Sequence, residues 1–322
     1  MKKIILLTFV LVWIMPSFFL YFFDSPNHSS ELKNHYYEKE SASQDPEKTE
    51  PVESEPTVAV LKNDKIEYMQ LEEYVLCVVL AEMPADFDIE ALKAQAVVAR
   101  TYTCRKIDDP KHKNASVCID SGCCQAFMDE ASYLFKGGTK ENLQKVRAAV
   151  DSTAGEVLLY QGELIEATYF SCSGGKTEDA AAVWGEDVPY LQSVDSPGEE
   201  LASHYTDTVR FSVRELCNQL DLSLSQAVLV ENITYTSGGG VESISIQGKS
   251  FTGTQIREKL GLRSTAFVIT VAGDTVTVTT KGFGHRVGMS QYGAEAMAVN
   301  GSSYEEILTH YYTDAAVSDL SG

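Results

Sequence analysis

The chain has 322 residues, 44% of them hydrophobic, and carries 46 acidic against 26 basic side chains, a formal net charge of -20. That length is long for one domain and short for three, and the hydrophobic share suffices for a real core. A balance so acidic, with a pI near 4.7, excludes a nucleic-acid partner, which needs a basic footprint.

The N-terminus departs from this composition. Lys2 and Lys3 precede residues 4–23, IILLTFVLVWIMPSFFLYFF, which hold no charge. About 20 apolar residues span a bilayer as a helix. The lysines favour a cytoplasmic tip of residues 1–3, and Asp24 opens an acidic exit. A single-pass cell-membrane anchor is therefore expected over 4–23, with the remaining chain extracytoplasmic. A cleaved signal peptide is the rival reading, but it has a shorter apolar core and a small-x-small cleavage site, where this run ends in large aromatics. Residues 24–56 are dominated by Glu, Lys, Ser, Pro and Asn. They are too poor in apolar side chains to fold alone and read as a disordered acidic linker. The folded domain is expected over 57–322.

Residues 58–68 alternate as short strands about Asn63-Asp64. Residues 71–82 have helical apolar spacing, ending on Glu82 before Met83-Pro84. Asp88 is placed to cap a second helix, on which Leu92, Ala96, Ala99 and Thr103 share one face and the alanines permit close packing. Residues 108–138 read as loop, and 140–152 as a helix ended by Gly155. Residues 156–170 suggest a hairpin turning at Gln161-Gly162, and 171–200 a long polar loop. A helix is expected over 210–222, a strand over 241–247, a helix over 252–262, and a strand pair over 267–280 turning at Gly273-Asp274. Residues 282–301 begin as a glycine-rich loop and continue as a helix, and 303–312 form a last amphipathic helix. There is no internal repeat. The fold class is α+β, as one large mixed domain or two interlocked ones.

Four places can carry chemistry. Glu82 closes an apolar helix, where desolvation raises a carboxyl pKa and keeps it protonated for general-acid work; the competing reading is a solvated helix end. In GFGHRVGMSQYGA, residues 282–294, four glycines surround His285, Ser290, Gln291 and Tyr292. Such a loop brings backbone and polar side chains close to a ligand, or simply forms a tight turn capped by His285. It lacks the Gly-Lys-Ser/Thr ending of a phosphate loop. Ser171, Cys172 and Ser173 follow a strand, and Cys172 with His285 as base is a conceivable nucleophile pair. Finally, HKNASVCIDSGCC, residues 112–124, offers His112, Cys118, Cys123 and Cys124 as ligands of a tetrahedral metal such as zinc. The rival there is a disulfide, and the odd total of seven cysteines leaves at least one thiol outside any such pairing within the chain.

Four stretches together resemble the stage II sporulation protein D family: EYVLCVVLAEMPADFDIEALKAQAVVARTYT, YFSCSGGKTEDAAAVWG, YLQSVDSP and GFGHRVGMSQYGAEAMA. They occur in that order, and the resemblance spans about residues 58–312. It implies a lytic transglycosylase that cleaves peptidoglycan glycan strands, already stripped of stem peptides, between N-acetylmuramic acid and N-acetylglucosamine during forespore engulfment. It implies Glu82 as the catalytic acid–base. It also implies Gln95, Arg100, Ser171, Ser173, His285, Ser290, Gln291 and Tyr292 about the glycan groove, with Gln95 and Arg100 either reaching the groove or bracing it. A stage II sporulation protein P-like amidase and a stage II sporulation protein M-like scaffold are the implied partners, in the space between mother cell and forespore. Relatives with a His/Cys segment bind structural zinc; Cys123 stands where their pattern has histidine. Ser or Thr often replaces Cys172 in the family, which argues against a nucleophilic cysteine. Position 286 varies between arginine and glycine there and carries no expectation. Some relatives are amidase enhancers that bind wall without cutting it, the alternative class. A zinc hydrolase is disfavoured by the Cys-rich ligand set, since such sites are usually closed.

Overall fold

The computed structural model describes residues 56–224 and 228–320. The expected anchor, and the linker but for Pro56, lie outside the described residues. Among those described, no helix is long and apolar enough to cross a membrane.

The chain opens with a hairpin, β1 (Thr57–Lys62) and β2 (Lys65–Gln70). Asn63 and Asp64 both take positive φ in its turn, the two-residue geometry that suits twisted antiparallel strands. Helix α1 (Leu71–Glu82) follows at once and is buried from Tyr74 to Leu80. Helix α2 (Ile89–Asp108) starts where Asp88 accepts the backbone N–H of Glu90. The expectation of one buried face on α2 is corrected: Ala91, Leu92, Ala94, Gln95, Val97 and Val98 are all inaccessible. Helices pack on more than one side of it, and its small side chains let them approach.

The segment expected to be loop contains β3 (Val117–Cys118), which pairs in parallel with β1, and the short α3 (Glu130–Phe135) capped by Asp129. Helix α4 (Lys140–Ser152) then leads to β4 (Glu156–Tyr160) and β5 (Glu163–Leu164). The predicted Gln161-Gly162 turn forms, both residues at positive φ. The hairpin itself stops early. After Ile165, whose N–H still donates to the Leu158 carbonyl, the chain leaves β4, and β6 (Tyr169–Phe170) pairs elsewhere. Helix α5 (Ala180–Trp184) lies within the long polar loop.

Residues from β7 (Thr206–Ser212) onward build a second, smaller core. The helix expected over 210–222 is also corrected. Thr206 to Ser212 alternate as a strand, and only α6 (Val213–Gln219) is helical, started by a Ser212–Glu215 capping box. There follow β8 (Val230–Tyr235), β9 (Val241–Ile246), β10 (Lys249–Thr252), α7 (Gly253–Leu260), β11 (Phe267–Ala272) and β12 (Thr275–Lys281). Two three-stranded sheets, in the orders β10-β9-β8 and β11-β12-β7, enclose Leu216, Ile244, Ile246, Ile256, Val276 and Val278. The chain then returns to the first core through β13 (Met289–Ser290), α8 (Gln291–Val299), α9 (Tyr304–Tyr311) and β14 (Ala316–Asp319), which closes on β4. The small core is thus an excursion between two motifs that meet again: β13 pairs in parallel with β6, placing Met289 beside Tyr169 and Ser290 beside Phe170.

Candidate functional site

Strand β6, the segments on either side of β13 and the end of α1 wall a cavity of about 360 Å³. Glu82 is the only carboxylate lining it, among Tyr102, Gln125, Tyr169, Phe170, Ser171, Phe283, His285 and Gln291. Helix α1 places Glu82 here because Met83, its C-terminal cap, turns extended while donating its N–H to Val79, and Pro84 then prevents the helix from resuming.

Burial raises the pKa of Glu82 above its usual value, against hydrogen bonds from the Ala126 backbone and from the Tyr169 and Gln291 side chains that favour the anion. The Ala126 N–H lies 2.6 Å from Oε1. Each donor is itself held. Gln125 Oε1 accepts the Thr103 hydroxyl at 3.0 Å, and its Nε2 donates to the Tyr169 hydroxyl at 3.2 Å. Gln291 Nε2 donates to Gln95 Oε1 at 3.3 Å. The carboxyl is therefore kept toward neutrality by desolvation, yet surrounded by donors that stabilise it once the proton has left. That combination suits a group which gives and later regains a proton.

His285 faces the same cavity but is no base. Burial and the charge of Arg257 push its pKa down to about 4. Its Nδ1 accepts the Val287 N–H at 3.1 Å, and its ring lies edge-on to Phe170 and against Trp184. The Cys172–His285 nucleophile pair does not form. Cys172 is fully buried, donates its thiol to Glu199 at 3.1 Å, and has its pKa pushed up by burial and by that carboxylate.

The other expected groove residues separate into two groups. Ser171 lines the cavity, its hydroxyl 2.7 Å from His204 Nε2. Tyr292 wedges its ring between Phe87 and His204 beside the cavity. Four lie beneath the surface; three brace it, and the fourth, Arg100, has no partner among the cavity's lining. Gln95 supports Gln291, as above. Arg100 is inaccessible and grips Glu72 with two hydrogen bonds of 2.8 and 2.6 Å. Ser290 caps α8. Ser173 donates to Glu199. Glu199 was missed in the sequence. It also accepts the backbone N–H groups of Ser173 and Gly174 and the hydroxyl of Ser196, fixing the SCSGG turn. Tyr169, Gln125, Ala126 and His204 were missed as well. Only Tyr169 left a trace, two residues before Ser171 on one strand face.

His112, Cys118, Cys123 and Cys124 converge, their ligand atoms all within 4.8 Å of one another. None of the seven cysteines is in a disulfide. Without a cation, burial and the neighbouring sulfurs push the Cys118 thiol up to about 12. A cluster of three sulfurs and one imidazole is the donor set that a metal ion satisfies. Cys124 also lines the cavity, and Ala126 is two residues further on, so this cluster anchors the segment that reaches Glu82.

A family profile described as "Stage II sporulation protein" matches residues 61–160. The chain is 41% identical over 280 residues to stage II sporulation protein D of Bacillus amyloliquefaciens, covering 84% of this chain and 81% of that one. It is 42% identical over 266 residues to stage II sporulation protein D of Bacillus subtilis, covering 80% and 77%. It is also 31% identical over 288 residues to the amidase enhancer of Bacillus subtilis, covering 72% of this chain but 38% of that protein.

Proposed function

The chain belongs to the stage II sporulation protein D family, and from that premise we propose that it is a membrane-anchored lytic transglycosylase acting on peptide-stripped peptidoglycan. The observation that carries this reading is Glu82: one carboxyl, held toward its protonated form by burial, alone among acids in the walls of a polar and aromatic cavity. Glycosidases that use water or a covalent intermediate need two carboxylates across the bond. A lytic transglycosylase needs one. Glu82 gives its proton to the glycosidic oxygen between N-acetylmuramic acid and N-acetylglucosamine. The C6 hydroxyl of the muramic acid attacks its own anomeric carbon, and the Glu82 carboxylate takes the hydroxyl proton. The product is a 1,6-anhydro end.

The Ala126 N–H and the Tyr169 and Gln291 side chains stabilise Glu82 while it is ionised. The Ser171 hydroxyl would meet a sugar hydroxyl, with Phe170 and Phe283 as apolar walls, while His285, its ring engaged by the Val287 N–H and the Tyr169 backbone, holds its place against Phe170 and Trp184. Proton transfer of this kind is worth roughly 10²–10⁴-fold, and the rest comes from holding the reacting hydroxyl and carbon in contact.

The His112, Cys118, Cys123 and Cys124 cluster fits a structural zinc, four-coordinate and closed; the ion would fix the segment carrying Ala126 and take no part in the reaction. Residues 4–23 anchor the chain, 24–56 give it reach, and a stripping amidase and a membrane scaffold, the P- and M-like proteins of stage II, work beside it during engulfment.

One observation favours a second reading: the relative named amidase enhancer. A wall-binding enhancer has no use for a buried, donor-supported carboxyl, so Glu82→Gln separates the two. Loss of strand cleavage with strand binding retained supports the enzyme. Full cleavage by Glu82→Gln would sink it at this site.

A further inference from the structure

Ser171 has a partner outside the four stretches that resemble the family. Its hydroxyl, on the cavity wall, lies 2.7 Å from Nε2 of His204, on the segment before β7. Tyr205 fastens that segment: its carbonyl accepts the Gly282 N–H at 2.9 Å, and its hydroxyl donates to the Gly174 carbonyl at 3.2 Å. The imidazole is seated edge-on against the rings of Phe283 and Tyr292, whose centroids are 5.4 and 5.1 Å away. Ser171 is held separately, by its backbone, where its carbonyl accepts the Tyr292 N–H at 3.1 Å. Hydroxyl and ring are brought together by two sets of supports, one on each side of the contact.

Resting on the reading of this cavity as the glycan site, we propose that His204 is a positioning residue: it accepts the Ser171 O–H, so that Ser171 turns its oxygen lone pairs to the cavity and accepts a sugar hydroxyl. Two observations choose this direction. A contact of 2.7 Å is short for an N–H donor, for which about 2.9–3.0 Å is usual, and ordinary for a hydroxyl donor. Nδ1, the other ring nitrogen, has an outlet for the single proton of a neutral imidazole in the exposed Ser203 hydroxyl, 3.4 Å away. Burial and the charge of Arg263 lower the His204 pKa and favour that neutral ring. Arg263 is itself paired with Asp207 at 3.3 Å and lies over the Phe283 ring. Tyr292 is the other titratable side chain against the imidazole, and burial raises its pKa, so it stays a neutral phenol. Once His204 is protonated, both ring nitrogens donate. The Ser171 oxygen must then accept from Nε2, and its proton turns to the cavity. A sugar hydroxyl that donated to Ser171 has to be turned round, and binding weakens. His204 thus decides whether this part of the wall offers an acceptor or a donor.

The test measures strand affinity in the full chain carrying Glu82→Gln, so that neither cleavage nor the titration of Glu82 enters. The probe is amidase-stripped glycan, and the proteins are this background alone and with Ser171→Ala, His204→Phe or both. His204→Phe keeps a ring between Phe283 and Tyr292 and removes only the acceptor. At slightly alkaline pH, His204→Phe is expected to raise Kd about three- to tenfold, the weight of one hydrogen bond. The double variant should bind no more weakly than Ser171→Ala, because His204 acts through that hydroxyl. In the background protein, Kd should rise as pH falls through the His204 pKa, below the ordinary histidine value of about 6.5. None of the three variants should show that rise. Losses that add in the double variant, an acid rise that persists in His204→Phe, or no rise in the background overturn the inference, since a merely structural role for the ring predicts each of them. Kd does not depend on the folded fraction of a preparation, so a poorly folding variant still reports. The expected binding pattern without anhydro product from the unaltered chain would overturn the transglycosylase and leave His204 in this role. Strands that fail to bind the background protein would overturn both.

Discussion

Glu82 is a carboxyl whose surroundings pull in two directions. Desolvation raises its pKa, while three donors lower it without winning. The sign for stability follows. A carboxyl with a folded pKa above its unfolded value binds more protons when folded, so stability falls as pH rises from the unfolded pKa through the folded one. Glu82→Gln removes that loss. We expect the variant to be inactive yet at least as stable as the unaltered chain at pH 7, with the two converging toward pH 4, as read by urea unfolding. Activity should fall as pH rises through the folded pKa of Glu82, giving an alkaline limb displaced above the ordinary carboxylate range. His285 acts in the other direction. With a folded pKa near 4, it contributes stability above its unfolded value near 6.5 that is lost as pH falls from there toward 4. His285→Gln should flatten the acid side of the stability profile. At this scale the sequence was informative where the residues are contiguous: AEMP, FSCSGG and GHRVGMSQYG supplied Glu82, Ser171, His285 and Gln291. It was silent on Ala126, whose N–H meets a carboxyl 44 positions away. Any residue supplies a backbone N–H, so nothing in the side-chain pattern announces that role.

The elements that aim these residues are short, and their own ends decide the aim. The parallel β6–β13 pair is two residues deep, too short to be told from loop by alternation, yet it joins the two motifs of the site. Glu199 holds the turn that follows β6. Glu199→Gln keeps the volume but sets an amide N–H₂ against donors from Ser173, Gly174 and Ser196; we expect a loss of about 2–3 kcal/mol in unfolding free energy, with cleavage reduced through misplacement of Ser171. The His/Cys segment acts on Glu82 in the same indirect way. One equivalent of zinc is expected in protein purified without chelator. Its removal should raise hydrogen exchange over 112–126 and slow cleavage, and restored zinc should recover both. Full activity and unchanged exchange in metal-free protein would break the link between this cluster and Ala126. The helix wrongly placed over 210–222 shows why pattern alone misled here. Arg210 to Leu222 fits a helix locally, but Thr206 to Ser212 pair along their whole length with β12, a partner more than sixty residues downstream in the chain.

Over the whole molecule, two cores share one buried joint. Arg286 Nη1 meets Glu178 Oε1 at 3.1 Å, both side chains almost inaccessible, and the other guanidinium nitrogens donate to the carbonyls of Ser173, Lys176 and Gly238. Glu178 in turn accepts the Gly240 N–H and the Thr236 hydroxyl from the β8–β9 turn. Position 286 carried no expectation in the sequence, since its partners come from two loops, 173–178 and the β8–β9 turn, far from it in the chain. Arg286 also sits at φ +68, a conformation that glycine adopts more easily. Arg286→Gly should therefore regain a little backbone strain but leave Glu178 buried without its cation, a net loss of about 3 kcal/mol, and should sensitise residues 206–281 to proteolysis before the rest. The mixed α/β class and most element positions were legible because the hydrophobic periods of α4, α7, α9 and the β11–β12 hairpin are strong, and α1 is a continuous apolar run between clear stops. The excursion of the second core was not, because it separates two motifs in sequence while leaving them adjacent in space.

The end group of the cleaved strand bears most directly on Glu82. Stripped glycan strands are incubated with the full chain and with Glu82→Gln in water enriched in oxygen-18, and the products are weighed by mass spectrometry. We expect 1,6-anhydromuramic ends without label from the unaltered chain and intact strands from Glu82→Gln. Labelled reducing ends would mean that water is the nucleophile and a second acid takes part, contradicting the single-carboxyl mechanism.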